Sequence, residues 1–146
     1  MRFEKQFLQI KNSVSSLDQV KILLVEDEPD TRMLFAFILE NCGAEVVAVA
    51  SAKEALEAIQ QIPFHLLISD IAMPDEDGYS LIRKVRSLDV EQGRQIPAIA
   101  VTGIYEEELN YSNASTTEFQ LHLTKPVDPN ELVTAAIIWA KQEVSV

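Results

Sequence analysis

Five side chains in this sequence can together hold a divalent cation and handle a phosphoryl group: Glu26, Asp27, Asp70, Thr102 and Lys125. They fall in four stretches, Val25-Glu26-Asp27-Glu28, Ser69-Asp70-Ile71-Ala72-Met73-Pro74, Val101-Thr102-Gly103 and Thr124-Lys125-Pro126. An aspartate can attack phosphorus and form an acyl phosphate. Attack by one anion on another is opposed by charge repulsion, which a cation held by carboxylates relieves. Hard oxygen ligands, with water completing the shell, suit Mg²⁺. Lysine supplies a compact positive charge for a phosphoryl oxygen, and threonine supplies a hydroxyl donor. Singly these signals are weak. An acidic pair after a strand commonly caps a helix or faces solvent, and an aspartate ending a strand is commonly a turn residue. Their joint placement, each just past an apolar run, is what carries the reading.

Such groups meet only if the apolar runs are neighbouring parallel strands. From Lys21 onward, short apolar runs alternate with amphipathic stretches, the pattern of repeated βαβ units. Strands are expected at about 21–26, 44–49, 64–69, 98–101 and 118–123. A first helix opens at Pro29, runs through Met33, Leu34, Phe37 and Ile38, and is closed by Gly43. Ser51 caps a second helix with the face Ala55, Leu56 and Ile59, which Pro63 ends. A third turns Leu81, Ile82, Val85 and Leu88 inward and Arg83, Lys84 and Arg86 outward. A weak helix is expected over 105–115, where Asn110–Thr117 holds almost no strong helix former. A last helix opens at Asp128-Pro129, with Leu132, Val133, Ala136, Ile137 and Ala140 apolar. Five βα units predict an α/β, flavodoxin-like doubly wound sandwich with a parallel five-stranded sheet of order 2-1-3-4-5. Its switch point lies between strands one and three, where Glu26-Asp27 and Asp70 end side by side.

The chain has 146 residues, enough for one domain with a real core. A net charge of −11 argues against a broad basic nucleic-acid face. Cys42, the single cysteine, allows no intrachain disulfide and reads as a small core residue. No run approaches the ~20 apolar residues needed to span a bilayer, and a cytoplasmic location without membrane contact is expected. Residues 1–20 stand apart from the domain expected over 21–143. Phe3, Phe7, Ile10, Val14 and Leu17 are spaced 4, 3, 4 and 3, a short heptad-like stripe. A helix docked on the domain, a weakly dimerising helix and disorder all remain open for it.

With these residues in place, the chain strongly resembles the receiver domains of two-component response regulators and hybrid histidine kinases, over about Val20 to Gln142. The resemblance assigns the acidic pair to Glu26 and Asp27 and the phosphorylated aspartate to Asp70, followed by Met73-Pro74 and Asp77-Gly78. It assigns the switch hydroxyl to Thr102 and the lysine to Lys125, before a proline whose peptide bond is usually cis. It implies Mg²⁺ held by Glu26, Asp27, Asp70 and the backbone carbonyl of Ala72. It further implies phosphoryl transfer from a histidine kinase or histidine phosphotransfer protein, with self-catalysed hydrolysis and no external substrate. A change of partner, to an unidentified downstream protein, would follow through the face of the 105–115 helix, the last strand and the last helix. That face is also a candidate homodimer contact.

Three departures from the family pattern stand out. His122 occupies the strand-five position usually held by Tyr or Phe. It reads either as a half-buried histidine without a signalling role or as a pH-sensitive switch residue. Glu118 stands where a glycine is common, so a short or frayed 105–115 helix is expected. Ala72 and Ile104 are both apolar, which predicts a long-lived phosphorylated form. His65 opens a strand and reads as a packing or edge residue. The alternative to a phosphoacceptor is a receiver-like interaction module working without phosphorylation. A phosphohydrolase is disfavoured, because Ala72 stands where such enzymes often place a second acid.

Overall fold

A computed structural model of the protein describes residues 16–103 and 118–141. The helix expected over 105–115 and most of the N-terminal extension lie outside the described residues. The strands are β1 (Lys21–Val25), β2 (Glu45–Val49), β3 (Leu66–Asp70), β4 (Ala98–Thr102) and β5 (Leu121–Thr124). They form one parallel sheet in the order β2-β1-β3-β4-β5. The helices are α1 (Pro29–Glu40), α2 (Ala52–Gln61), α3 (Gly78–Arg86) and α4 (Pro129–Ala140), with a 3₁₀ turn at Val90–Gln92.

Side-chain alternation along the strands divides the core in two. Ile22, Leu24, Leu66, Ile68, Ile99 and Val101 pack with Phe35 and Leu39 of α1 and Leu132, Val133 and Ala136 of α4. Leu23, Val25, Leu67, Ala98 and Ala100 pack with Ala52, Ala55 and Ile59 of α2 and Leu81, Ile82 and Val85 of α3. The central strands are buried on both faces, so they read as unbroken apolar runs. Full burial of each large aliphatic side chain contributes about 1.5–3 kcal/mol.

Helix ends follow local chemistry. Glu28, Ser51, Asp77 and Asp128 each accept a hydrogen bond from a first-turn amide of α1, α2, α3 and α4 respectively. Gly43, at φ 99°, supplies the left-handed turn between α1 and β2. Cys42 is buried in the core, as expected. His65 sits at the rim of the sheet, where Nδ1 accepts the Lys21 amide at 2.9 Å.

Packing settles the facing of α1 and corrects one expectation, that for Arg86. In α1 the buried residues are Phe35 and Leu39, whereas Met33, Leu34 and Phe37 are exposed. Residues 33–39 are seven consecutive apolar residues, so periodicity selects no face, and packing against the sheet and α4 decides it. Arg86 does not point outward. Its guanidinium turns back and donates to the carbonyls of Arg94 at 2.8 Å, Ile96 at 2.7 Å and Glu118 at 2.8 Å. Strand ends also shift: β3 reaches Asp70 itself, and β5 starts later than expected, at Leu121.

Candidate functional site

The strand ends β1, β3 and β4 deliver Glu26, Asp70 and Thr102 to one edge of the sheet. All three are buried, at 1%, 3% and 1% exposure. The ladder fixes their positions. Glu26 donates its amide to Val49, Ile71 to Val101 and Lys125 to Thr102, the last at 2.7 Å. This last bond ties the lysine turn to the end of β4. The Lys125-Pro126 peptide is cis, as the resemblance implied.

The lysine ammonium bridges two carboxylates: Nζ lies 3.3 Å from Glu26 Oε1 and 3.3 Å from Asp70 Oδ1. These approaches are long for charge-assisted hydrogen bonds. Both oxygens, and Thr102 Oγ1, are buried without a hydrogen-bond partner. A buried polar atom left in this state costs about 1–3 kcal/mol. Glu26, Asp27 and Asp70 also offer carboxylate oxygens within 4.8 Å of one another. Orphaned, hard, anionic oxygens converging on one spot fit a magnesium-sized cation.

Electrostatics agree with that geometry. Burial first, and then the neighbouring Glu26 carboxylate, pushes the Asp70 carboxyl up from 3.8 to about 7, against the opposing pull of Lys125. Burial alone lowers the Lys125 ammonium, but the attraction of Asp70 and Glu26 outweighs it and leaves the group above its ordinary value.

Of the residues expected from sequence, Glu26, Asp27, Asp70 and Lys125 are brought together, and Thr102 ends the strand beside them. Ala72 lies two residues past Asp70 on the exposed loop leading to Gly78. His122 is half-buried against two aromatics, Tyr79 and Phe119, with ring centroids at 6.3 and 5.8 Å. Its Nε2 lies 3.4 Å from the Tyr79 hydroxyl.

Two supporting residues, Arg32 and Tyr79, escaped the sequence reading, and Gly78, which it singled out, has a definite structural role. Arg32 donates to the carbonyls of Glu26 at 2.8 Å and Asp27 at 3.4 Å, holding the acidic turn from within α1. A lone cation in the first helical turn after an acidic pair is the only signal that could have suggested it. Gly78 donates its amide to Ile71 at 2.8 Å. A Cβ there would lie 2.5 Å from the Asp70 carbonyl, so only glycine lets the loop fold back so closely. Tyr79 gave no signal, because its partner lies 43 residues away.

Known proteins share this frame. Residues 22–137 match the family model described as response regulator receiver domain. An uncharacterized 14.6 kDa protein of Leptolyngbya boryana is 46% identical over 120 residues, covering 82% of this chain and 89% of that protein. The sensor protein GacS of Pseudomonas syringae pv. syringae is 30% identical over 82% of this chain, which corresponds to 13% of the sensor's length. The receiver domain of sensor histidine kinase PA1611 from Pseudomonas aeruginosa, solved with magnesium coordinated in its active site cleft, superimposes with a TM-score of 0.74. It is 29% identical, with 83% of this chain and 97% of that one covered. The chain belongs to the response regulator receiver domain family of two-component systems.

Proposed function

We propose that Asp70 is a phosphoacceptor and that this chain is a working switch in a phosphorelay. The observation that carries the reading is the Asp70 carboxylate, buried at the end of a central strand, with Lys125 Nζ at 3.3 Å and the Glu26 and Asp27 oxygens within 4.8 Å. An oxygen of Asp70 attacks the phosphorus of a phosphohistidine on a kinase or phosphotransfer protein. The P–N bond breaks, its electron pair returns to the imidazole, and an acyl phosphate forms on Asp70. Lys125 moves from its two-carboxylate bridge to a phosphoryl oxygen, and Thr102 turns its unpartnered hydroxyl to another. Water later attacks the phosphorus, releasing inorganic phosphate and the free carboxylate. The domain catalyses both steps on itself and has no external substrate.

Glu26, Asp27 and Asp70, with the Ala72 carbonyl that the resemblance implies, would hold Mg²⁺, which when bound neutralises charge on the transferring group. The cytoplasm is the compartment this reading implies, consistent with a single buried cysteine. Among the described residues, no helix is long and apolar enough to cross a membrane.

Intact mass after incubation with acetyl phosphate and Mg²⁺ tests the reading. The expected result is a gain of about 80 Da, absent in Asp70→Asn. No gain, together with no response of thermal stability to Mg²⁺, would favour an interaction module that works without phosphorylation.

A further inference from the structure

Three rings meet where α3 passes β5. Tyr79, the second residue of α3, is only 4% exposed and belongs to the same apolar cluster as Ile71 and Phe119. Its ring stands edge-on to Phe119, with centroids 6.1 Å apart and planes at 74°. Its hydroxyl lies 3.4 Å from Nε2 of His122, and His122 pairs with Ala100 in the β4–β5 ladder. A phenylalanine would fill the same apolar space. The hydroxyl is the part of the ring that calls for a polar neighbour.

The turn that carries Tyr79 is pressed against the residue at the centre of the crevice. Gly78 precedes it, and the Gly78 amide donates to the Ile71 carbonyl at 2.8 Å. A Cβ on Gly78 would lie 2.5 Å from the Asp70 carbonyl and 3.0 Å from Ile71 Cα. Ile71 is held in turn to Val101 of β4, through its amide at 3.1 Å. Asp77 accepts the Ser80 amide at 2.8 Å, which binds Gly78, Tyr79 and Ser80 into one capped turn. No slack separates the Asp70 backbone from the first turn of α3, and a close-packed interior transmits a displacement rather than absorbing it.

We propose that Tyr79 carries the phosphorylation state of Asp70 to β5, through the contact of its hydroxyl with His122. The inference rests on Asp70 being a phosphoacceptor. A phosphoryl group adds charge and bulk to a carboxylate that is otherwise buried. The strand end and the Gly78 turn shift together, the Tyr79 hydroxyl moves relative to Nε2, and the His122 ring takes a second position. This route runs through the α2 and α3 side of the sheet and needs no displacement of Thr102. Tyr79 touches no reacting atom. It is a positioning residue that acts on the output of the domain.

The test follows the His122 ring by NMR in the full chain, before and after addition of acetyl phosphate and Mg²⁺, at constant pH. The chain has two histidines. His65, whose Nδ1 accepts the Lys21 amide at the opposite end of the sheet, is the internal reference. Intact mass of the same samples reports phosphorylation independently. In the parent, the mass gain is expected together with a displaced His122 resonance and an unmoved His65 resonance. Tyr79→Phe keeps the ring and its packing. It should show the same mass gain with a His122 displacement at least about threefold smaller. A full displacement in phosphorylated Tyr79→Phe would mean that Tyr79 only packs, and would overturn the proposal. A phosphorylated parent whose His122 resonance stays in place would overturn it as well. No mass gain in the parent would instead remove the phosphoacceptor reading, and this proposal with it.

Discussion

The crevice and the Arg86 anchor both bury charge, and they treat it in opposite ways. Arg86 gives up water and receives three backbone carbonyls at 2.7–2.8 Å. Glu26 and Asp70 give up water and share one ammonium at 3.3 Å; Glu26 Oε2 also accepts the Glu28 amide at 3.0 Å, but Glu26 Oε1 and Asp70 Oδ1 are left with no hydrogen bond. The anchor is complete as it stands, while the crevice is complete only with something added. Structural networks satisfy their members, whereas functional sites break local rules at a cost that the rest of the fold absorbs.

Asp70→Asn gives the largest break in that comparison. It should abolish acyl-phosphate formation and, in metal-free buffer, make the fold more stable. The Asp70 carboxyl titrates at about 7 when folded and at 3.8 when unexposed to these neighbours. The folded state thus favours the protonated form. This stabilising contribution is complete below about pH 4 and is lost as the pH rises through 7. The advantage of Asp70→Asn over the parent should be absent at pH 4 and grow to at most about 4 kcal/mol by pH 8. Urea denaturation in EDTA at several pH values measures it, and a pH-independent difference would contradict the assignment.

Arg86→Met sharpens the other side. It strands three carbonyls and should cost about 3 kcal/mol at any pH, with or without Mg²⁺. A denaturation midpoint within error of the parent would show that the carbonyls find water instead.

Added Mg²⁺ should raise stability by about 1.4 kcal/mol at roughly tenfold excess over its dissociation constant, and more at pH 8 than at pH 6. Asp70→Asn should lose most of that gain in a thermal melt. Arg32→Ala should weaken Mg²⁺ binding severalfold, about 1 kcal/mol, by freeing the carbonyls of the acidic turn. Calorimetric titration reads this directly. The smallest effect belongs to an exposed pair, Lys84 and Glu76 at 2.7 Å. Lys84→Ala should cost less than about 0.5 kcal/mol, and less still in high salt.

The sequence was most legible where chemistry and chain direction coincide. Glu26, Asp27, Asp70 and Lys125 each follow an apolar strand, and strand ends in a parallel sheet share an edge, so their meeting required no knowledge of packing. Facing was legible only where polar residues mark the outside. Residues 33–39 of α1 offer no such mark. Arg86 follows the outward pattern of its helix, yet its partners lie 8, 10 and 32 residues away. The Tyr79–His122 contact spans 43 residues and unites an α3 residue with a β5 residue, a pairing that neither helical nor strand periodicity encodes.

The bond from Arg86 to the Glu118 carbonyl has a counterpart at Thr102, whose carbonyl accepts the Lys125 amide. Together they clamp the chain on both sides of residues 104–117, and the register of β5 on β4 is set by residues outside that stretch. The sheet edge that holds Asp70 is therefore held in place by contacts among residues outside that stretch.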